Sequence, residues 1–164
     1  MAVQVRSGAP FLFVNEQQHD EEYIRRAMEL AALAEADGDV PIGAVLVCGD
    51  RVLEAKNEKE SRPDATAHAE MLLLQQAARE LKAWRLSDAT IYVTKEPCVM
   101  CAGAMVAARV KRLVYGCPDP KGGAAGSVLD VVRHPSLNHR MEVTAGVLAD
   151  ETAAQLQAFF KKRR

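Results

Sequence analysis

The sequence predicts a three-layer α/β/α domain in which a mixed sheet lies between helices. Two β segments, 42–47 and 51–55, flank the turn residues Gly49 and Asp50 and indicate a hairpin. After the hairpin, β segments alternate with helical segments, which is typical of a sheet covered on both faces. The chain has 164 residues, of which 49% are hydrophobic and 26% are charged, and this composition suits one globular domain.

Apolar spacing and strong helix formers predict the helices, while β-branched and aromatic residues predict the strands. The predicted helices span 20–36, 67–82, 98–108, 127–132 and 150–161. The predicted strands span 42–47, 51–55, 89–94, 112–116 and 141–146, which makes a five-stranded sheet. Pro97 is expected at the first position of the third helix. We expect an N-terminal arm over residues 1–19, a single domain over residues 20–164, and a Gly-rich loop over 119–127 that is ordered by its contacts.

Charge and apolar runs limit the functional classes. The net charge of −1 argues against indiscriminate coating of nucleic acid but allows a local basic patch to bind a specific RNA. The apolar run 10–14 is too short for a secretory signal, and the run 99–108 is about half of a membrane span. Four cysteines without an export signal are expected to be thiols or metal ligands. We therefore expect a cytoplasmic protein with no membrane segment.

Cys98 and Cys101 form the first chemical motif. They lie three residues apart in the predicted first turn of a helix, so both thiols lie on one face. The positive end of the helix dipole favours thiolates there, and thiolates bind metals or exchange with disulfides. The pair alone therefore leaves three interpretations open: a metal site, a redox site and buried structural cysteines.

His68 and Glu70 narrow these interpretations. On a helix, residues two apart lie about 200° apart around the axis, so the two side chains are not expected to bind one metal as a pair. His68 can instead complete a site with Cys98 and Cys101, which leaves Glu70 to move protons. One imidazole and two thiolates suit Zn²⁺ and leave a fourth tetrahedral position for water, as in catalytic sites. His-x-Glu followed by Pro-Cys-x-x-Cys is the signature of zinc deaminases.

Three alternatives stay open. The cysteine pair could serve thiol exchange, or the zinc could be structural and take a fourth protein ligand, for which Cys117 is the best candidate. Among deaminases, a free base or nucleotide such as guanine is the alternative substrate.

The chain resembles the bacterial tRNA-specific adenosine deaminases, of the cytidine deaminase-like superfamily. The resemblance runs from about residue 23 to residue 160. It is carried by five blocks: 40–45 (VPIGAV), 66–70 (TAHAE), 96–105 (EPCVMCAGAM), 119–127 (DPKGGAAGS) and a block around 134–140. Lys95, where the family commonly has leucine, departs from the pattern.

This resemblance implies a cytidine deaminase-like fold and the conversion of adenosine to inosine at the wobble position of a tRNA anticodon. It implies one Zn²⁺ per subunit on His68, Cys98 and Cys101, with Glu70 as the catalytic proton carrier, and it implies a homodimer. The substrate-binding residues that it implies are Ile42, Asn57, Asp119, Lys121 and Asn138. The cations at 161–164 could add a phosphate contact with the tRNA.

Overall fold

A single five-stranded mixed sheet organises the fold. The structure, a computed structural model, describes residues 15–164. In chain order its elements are α1 (Glu16–Ala36), β1 (Gly43–Cys48), β2 (Arg51–Lys56), α2 (Ala69–Leu81), β3 (Thr90–Lys95), α3 (Val99–Ala107), β4 (Arg112–Cys117), β5 (Glu142–Thr144) and α4 (Ala149–Lys162). The strand order is β2-β1-β3-β4-β5. β1 runs antiparallel to β2 and β3, whereas β3, β4 and β5 are mutually parallel.

Helices cover both faces of the sheet, because alternate residues of each strand point to opposite faces. Val45, Tyr92 and Val114 form a buried cluster with residues of α1. Their neighbours Leu46, Ile91 and Leu113 belong to the larger core cluster, which includes residues of α2 and α3. Gln155 of α4 donates a hydrogen bond to the Met28 carbonyl oxygen, which places α4 beside α1. The predicted three-layer α/β/α architecture is therefore confirmed.

Two glycines let helices approach the sheet closely. A Cβ atom on Gly43 would lie 2.1 Å from the carbonyl oxygen of Ala27 in α1. A Cβ atom on Gly116 would lie 2.4 Å from the Thr94 carbonyl oxygen and 2.5 Å from Thr152 Oγ1 of α4. Only glycine fits either position without a shift of backbone or helix.

The start of α1 is held to the sheet by an ion pair. The Arg112 guanidinium donates hydrogen bonds to both carboxylate oxygens of Asp20, at 2.8 and 2.7 Å. Because Asp20 is buried, its charge depends on this bidentate partner. α1 is therefore fixed to β4 by charge as well as by apolar packing.

Several predicted boundaries were wrong. α1 begins at Glu16 after the capping residue Asn15, so residues 16–19 belong to the helix and not to an arm. The rest of the predicted arm, including the apolar run 10–14, lies outside the described residues. Pro97 precedes α3 and is not its first helical residue, because Cys98 is the N-cap. Within residues 15–164, no helix is both long and apolar enough to cross a membrane.

The short helix predicted at 127–132 does not form. The backbone N–H groups of Val128 and Leu129 donate to the Gly123 carbonyl oxygen, at 3.0 and 3.1 Å. The N–H of Ser127 donates to the side chain of Glu96. In a helix the Val131 N–H would donate to the Ser127 carbonyl oxygen, but it donates instead to the Ala124 carbonyl oxygen at 2.9 Å, so this segment is bound to the preceding loop and is not helical.

Candidate active site

The N-termini of α2 and α3 meet at one end of the sheet and bring three metal-binding side chains together. His68 is the N-cap of α2 and Cys98 is the N-cap of α3, both in extended backbone conformations. Cys101 follows in the first turn of α3. His68 Nδ1 lies 3.6 Å from the Sγ atoms of Cys98 and Cys101. The ligand atoms of the three residues all lie within 4.8 Å of one another.

The position of His68 corrects one step of the sequence argument. His68 lies outside α2, with φ −72° and ψ 150°, so its direction relative to Glu70 does not follow a helical wheel. Neither His68 nor Cys98 makes a side-chain capping hydrogen bond, although N-cap positions favour Ser, Asp and Asn for that purpose. Each helix therefore begins with a side chain that points into the shared site instead of capping its own helix.

Hydrogen bonds among the three side chains shift their pKa values. A hydrogen bond with the Cys101 thiol lowers the pKa of Cys98 to about 3, although burial opposes this, and His68 lowers it further. The same hydrogen bond and burial raise the pKa of Cys101. Hydrogen bonding to Cys98 raises the pKa of His68. Cys98 is therefore a thiolate beside the positive end of a helix, which is the form that binds a metal.

Glu70 is a buried carboxyl group beside these ligands. It lies in the first turn of α2 and is only 4% exposed. Burial raises the pKa of its carboxyl group. Its charge in turn helps to raise the pKa of Cys101, so the two groups are neighbours. A raised pKa makes a carboxyl group better able to hold a proton and so suits it to proton transfer.

Ile42 and Asn57 lie next to the site because the β1–β2 pairing continues past the strands. The Asn57 N–H donates to the Ile42 carbonyl oxygen at 2.9 Å, and the Glu58 N–H donates to the Ala67 carbonyl oxygen at 3.0 Å. These bonds bring Asn57 beside the segment that ends at His68. Asn57 is 3% exposed, and its Oδ1 accepts no hydrogen bond from residues 15–164. Asn57 Oδ1 is therefore able to accept a hydrogen bond from a ligand.

A buried glutamate, Glu96, orders the Gly-rich loop. Its carboxylate accepts hydrogen bonds from the N–H groups of Ala125 (3.3 Å) and Ser127 (3.2 Å) and from the Ser127 hydroxyl. A Cβ atom on Gly123 would lie 1.8 Å from Glu96 Oε2. Gly123 also pairs with Cys98 in an isolated antiparallel bridge. Glu96 therefore positions the loop against the start of α3, a role that the sequence argument missed.

Lys95 and Asp119 form an ion pair next to this loop. Lys95 Nζ lies 2.9 Å from Asp119 Oδ2, and Asp119 Oδ1 accepts hydrogen bonds from the N–H groups of Lys121 (3.0 Å) and Gly122 (3.2 Å). Burial opposes ionisation of Asp119, but Lys95 and the backbone donors together lower its pKa. Asp119 is therefore an ionised residue that shapes the loop, while the Lys121 side chain stays exposed.

Asn138 and Cys117 are not brought to the His68 group. Asn138 is exposed on a loop whose next residue, His139, contacts the Val110 carbonyl oxygen before the start of β4. This is the opposite end of β4 from the His68 group. Cys117 is buried, and its Sγ lies 3.7 Å from the Thr94 carbonyl oxygen. In the described part of the chain the group of possible metal ligands contains His68, Cys98 and Cys101 alone, which argues against Cys117 as a fourth ligand.

The C-terminal cations have structural partners. Lys162 Nζ lies 3.4 Å from Glu35 Oε1, and the Arg163 guanidinium donates to the Gly38 carbonyl oxygen at 2.7 Å. These contacts hold the end of α4 against the end of α1. Lys162 and Arg163 are therefore engaged within the fold, which weakens the prediction of a phosphate contact there.

The site as a whole combines a three-residue metal-binding group with a buried acid–base carboxyl group. Such a site can make water nucleophilic and move its protons. Consistent with this chemistry, the family of MafB19-like deaminases matches residues 18–164. The fold and site thus define a deaminase.

Comparison with individual proteins identifies the family within the deaminases to which the chain belongs. The tRNA-specific adenosine deaminase of Bacillus subtilis (strain 168) is 47% identical over 146 residues, which cover 88% of this chain and 91% of that protein. The tRNA-specific adenosine deaminase of Haemophilus influenzae is 47% identical over 149 residues, covering 90% and 86%. A solved structure from a study of A-to-I editing by tRNA:A34 deaminases at the wobble position of transfer RNA has a TM-score of 0.78 and 40% identity, and the match covers 82% of this chain and 99% of that one. The chain belongs to the tRNA-specific adenosine deaminase family.

The contact between Glu96 and Gly123 predicts that alanine substitutions at the neighbouring residues Gly123 and Gly122 have different effects on the loop. Gly123→Ala places a methyl group against the Glu96 carboxylate and so strains the hydrogen bonds from the Ala125 and Ser127 N–H groups to that carboxylate, which are worth about 1.5–3 kcal/mol each. We therefore expect the rate of amide hydrogen exchange at Ala125 and Ser127 to rise at least about tenfold. Gly122→Ala is the control, because its Cβ would meet only Asp119 Oδ2, at 3.5 Å. Equal exchange in the two variants would contradict this role of Glu96.

Proposed function

We propose that this deaminase converts adenosine to inosine at the wobble position of a tRNA anticodon. The observation that carries the proposal is the buried Glu70 beside the convergent His68, Cys98 and Cys101 side chains. The substrate is inferred from the relatives, whose names specify tRNA and adenosine. Bases in single-stranded loops can be splayed out of their stack at low cost, which an enzyme with an enclosed site requires.

We propose Zn²⁺ as the metal, one per subunit, held by His68, Cys98 and Cys101. Tetrahedral bonds of about 2.3 Å to sulfur and about 2.0 Å to nitrogen place those atoms about 3.5 Å apart. The observed separation of 3.6 Å between His68 Nδ1 and each Sγ fits this geometry. Two sulfur ligands and one imidazole nitrogen are also a donor set that zinc favours. When bound, zinc supplies the Lewis acidity that makes water nucleophilic at neutral pH.

Glu70 carries the protons of the reaction. Its carboxylate accepts a proton from the attacking water and delivers it to N1 of the adenine ring. It then carries the second proton of that water to the exocyclic amine, which leaves as ammonia, so adenosine and water give inosine and ammonia. The burial of Glu70 suits it to both steps, because the raised pKa lets the carboxyl group hold a proton between them.

The remaining predicted residues bind the substrate in this proposal. Asn57 offers its free Oδ1 to a donor on the flipped nucleoside, and Ile42 forms an apolar wall beside it. Asp119 and Lys121 lie on the loop that borders Cys98, where Lys121 can meet an RNA phosphate. Asn138 remains a prediction from the resemblance, and its contact with RNA would be made away from the metal group.

We also propose that the enzyme is a homodimer in the cytoplasm. Val99, Val128 and Leu129 are each about half exposed and adjoin the start of α3 or the Gly-rich loop. A second copy that covers this apolar rim would exclude water from the site. Sedimentation of the full chain as a monomer at micromolar concentration would contradict the dimer.

The four free cysteines agree with a reducing compartment such as the cytoplasm, and cell fractionation tests this location.

Glu70→Gln is expected to lower the rate of inosine formation in a tRNA with wobble adenosine by about 10²–10⁴-fold, because the amide cannot carry protons. Glu80→Gln, in the exposed last turn of the same helix, is the control and should retain the wild-type rate. Inosine is measured by sequencing the product, because inosine is read as guanosine. A wild-type enzyme that deaminates free guanine but leaves this tRNA unchanged would overturn the proposed substrate.

Cys101→Ser is expected to reduce bound zinc from about one ion per chain to a small fraction, because one of three protein ligands is altered. Cys117→Ser is the matched control and should retain about one zinc, since Cys117 lies outside the group. Metal content is measured by mass spectrometry after dialysis. Loss of zinc from Cys117→Ser would support a structural four-ligand site, and a zinc-free wild type with a Cys98–Cys101 disulfide would support thiol exchange.

A further inference from the structure

A second charged site lies at the end of the sheet opposite the metal group. It is a cleft of about 330 Å³ with four cationic lining residues, namely Arg85, Arg109, Lys111 and Arg140. Arg85 precedes β3, Lys111 precedes β4 and Arg140 precedes β5, so the cleft lies at the N-terminal ends of these parallel strands. His68 and Cys98 lie at the other end, because Cys98 follows β3.

The four cations have no acidic partners within the fold. Over residues 15–164, none of them forms an ion pair, although many other cations of the chain do. Glu142 is the single carboxylate in the cleft lining. A chain with a net charge of −1 therefore concentrates unpaired positive charge in one concave place. Such a place attracts polyanions and binds them through phosphate oxygens.

Helix ends explain only part of this charge. Arg109 donates to the Val106 carbonyl oxygen at 3.0 Å, which is a normal role for a cation after a helix. Its φ of 61° is nevertheless one that glycine adopts more easily, so the arginine is held there at a cost of about 1–2 kcal/mol in backbone energy. Lys111 and Arg85 cap no helix, and Arg140 uses one N–H on the Pro135 carbonyl oxygen, which leaves other donors free.

We propose that this cleft binds the phosphodiester backbone of the RNA substrate, outside the nucleotides that enter the metal site. The inference rests on the proposed function. β3 has six residues and is about 20 Å long, which corresponds to about six stacked nucleotides. When the target base lies at the metal group, a phosphate about six nucleotides away in the RNA can therefore reach the cleft.

The test uses the charge-reducing double variant Lys111→Gln/Arg140→Gln and the matched double variant Arg25→Gln/Arg79→Gln, whose exposed cations lie outside the cleft. For a tRNA with wobble adenosine, we expect the cleft variant to raise KM about tenfold and to change kcat less than about twofold. The slope of log(kcat/KM) against log salt concentration should become shallower by about 1.5, since each lost phosphate contact removes about 0.7–0.9. The control variant should match the wild type in both quantities.

Direct binding separates this inference from the proposed reaction. Fluorescence anisotropy of the same labelled tRNA measures affinity and its salt slope whether or not inosine forms. If the wild type forms no inosine but the cleft variant alone loses affinity, the proposed reaction is wrong and the cleft assignment stands. Equal affinity and slope in the cleft and control variants would overturn the cleft assignment. Binding of inorganic phosphate that the cleft variant abolishes, without any change in tRNA affinity, would also overturn it and would identify a small-anion site.

Discussion

The site depends on the placement of two helix N-termini at one end of the sheet. β3 leads directly into α3, and the β1–β2 hairpin returns the chain to the start of α2. His68 and Cys98 therefore stand at equivalent cap positions, and Cys101 and Glu70 follow in the first turns. The dipoles of both helices favour negative charge at this point, which stabilises thiolates. A change in either helix start would displace a ligand.

Burial and the neighbouring charge have opposite effects on the ionisation of Glu70. Burial disfavours its ionised form, whereas the nearby His68 favours it. Cys98 and Cys101 also differ in pKa. The hydrogen bond between the two thiols lowers the pKa of Cys98 and raises the pKa of Cys101. In the proposed reaction, the buried Glu70 carboxyl group would move protons, while His68, Cys98 and Cys101 would hold the metal.

The Gly-rich loop is ordered by the residues just before Pro97. Lys95 pairs with Asp119 at the start of the loop, and the buried Glu96 accepts donors from its end. The loop, which carries the proposed substrate-binding residues Asp119 and Lys121, is therefore held by residues at the end of the strand that leads to Cys98. Lys95 also places a positive charge beside Asp119 at this edge of the site.

Much of the fold was predictable because its signals are local. The hairpin around Gly49 and Asp50, the strand 89–94 and the four long helices all follow from periodicity and turn residues. The helix expected at 127–132 does not form because its N–H groups donate to Glu96, which is distant in the sequence, and to Gly123 and Ala124 of the preceding loop, and apolar periodicity does not reveal such partners. The helix starts at His68 and Cys98 were misplaced by one or two residues for a functional reason: N-cap positions that usually carry a capping side chain here carry ligands.

The group of possible metal ligands could be predicted from the spacing of His68, Cys98 and Cys101, but the residues that position it could not. Glu96 and Asp39 are buried carboxylates in polar segments, and their roles appear only once the loops are folded around them. Asp39 accepts hydrogen bonds from the N–H groups of Glu60 and Ser61 and so shapes the segment before His68. The pairing of Gly123 with Cys98 is likewise a long-range contact without a sequence signal.

In the proposed site, three protein ligands hold one metal and leave a fourth position for water. X-ray absorption at the zinc K-edge of the purified full-length protein measures this first shell. We expect two sulfur scatterers at about 2.3 Å and two nitrogen or oxygen scatterers at about 2.0 Å, one from His68 and one from solvent. A first shell with three sulfur atoms, as Cys117 would add, or a spectrum without zinc would contradict it.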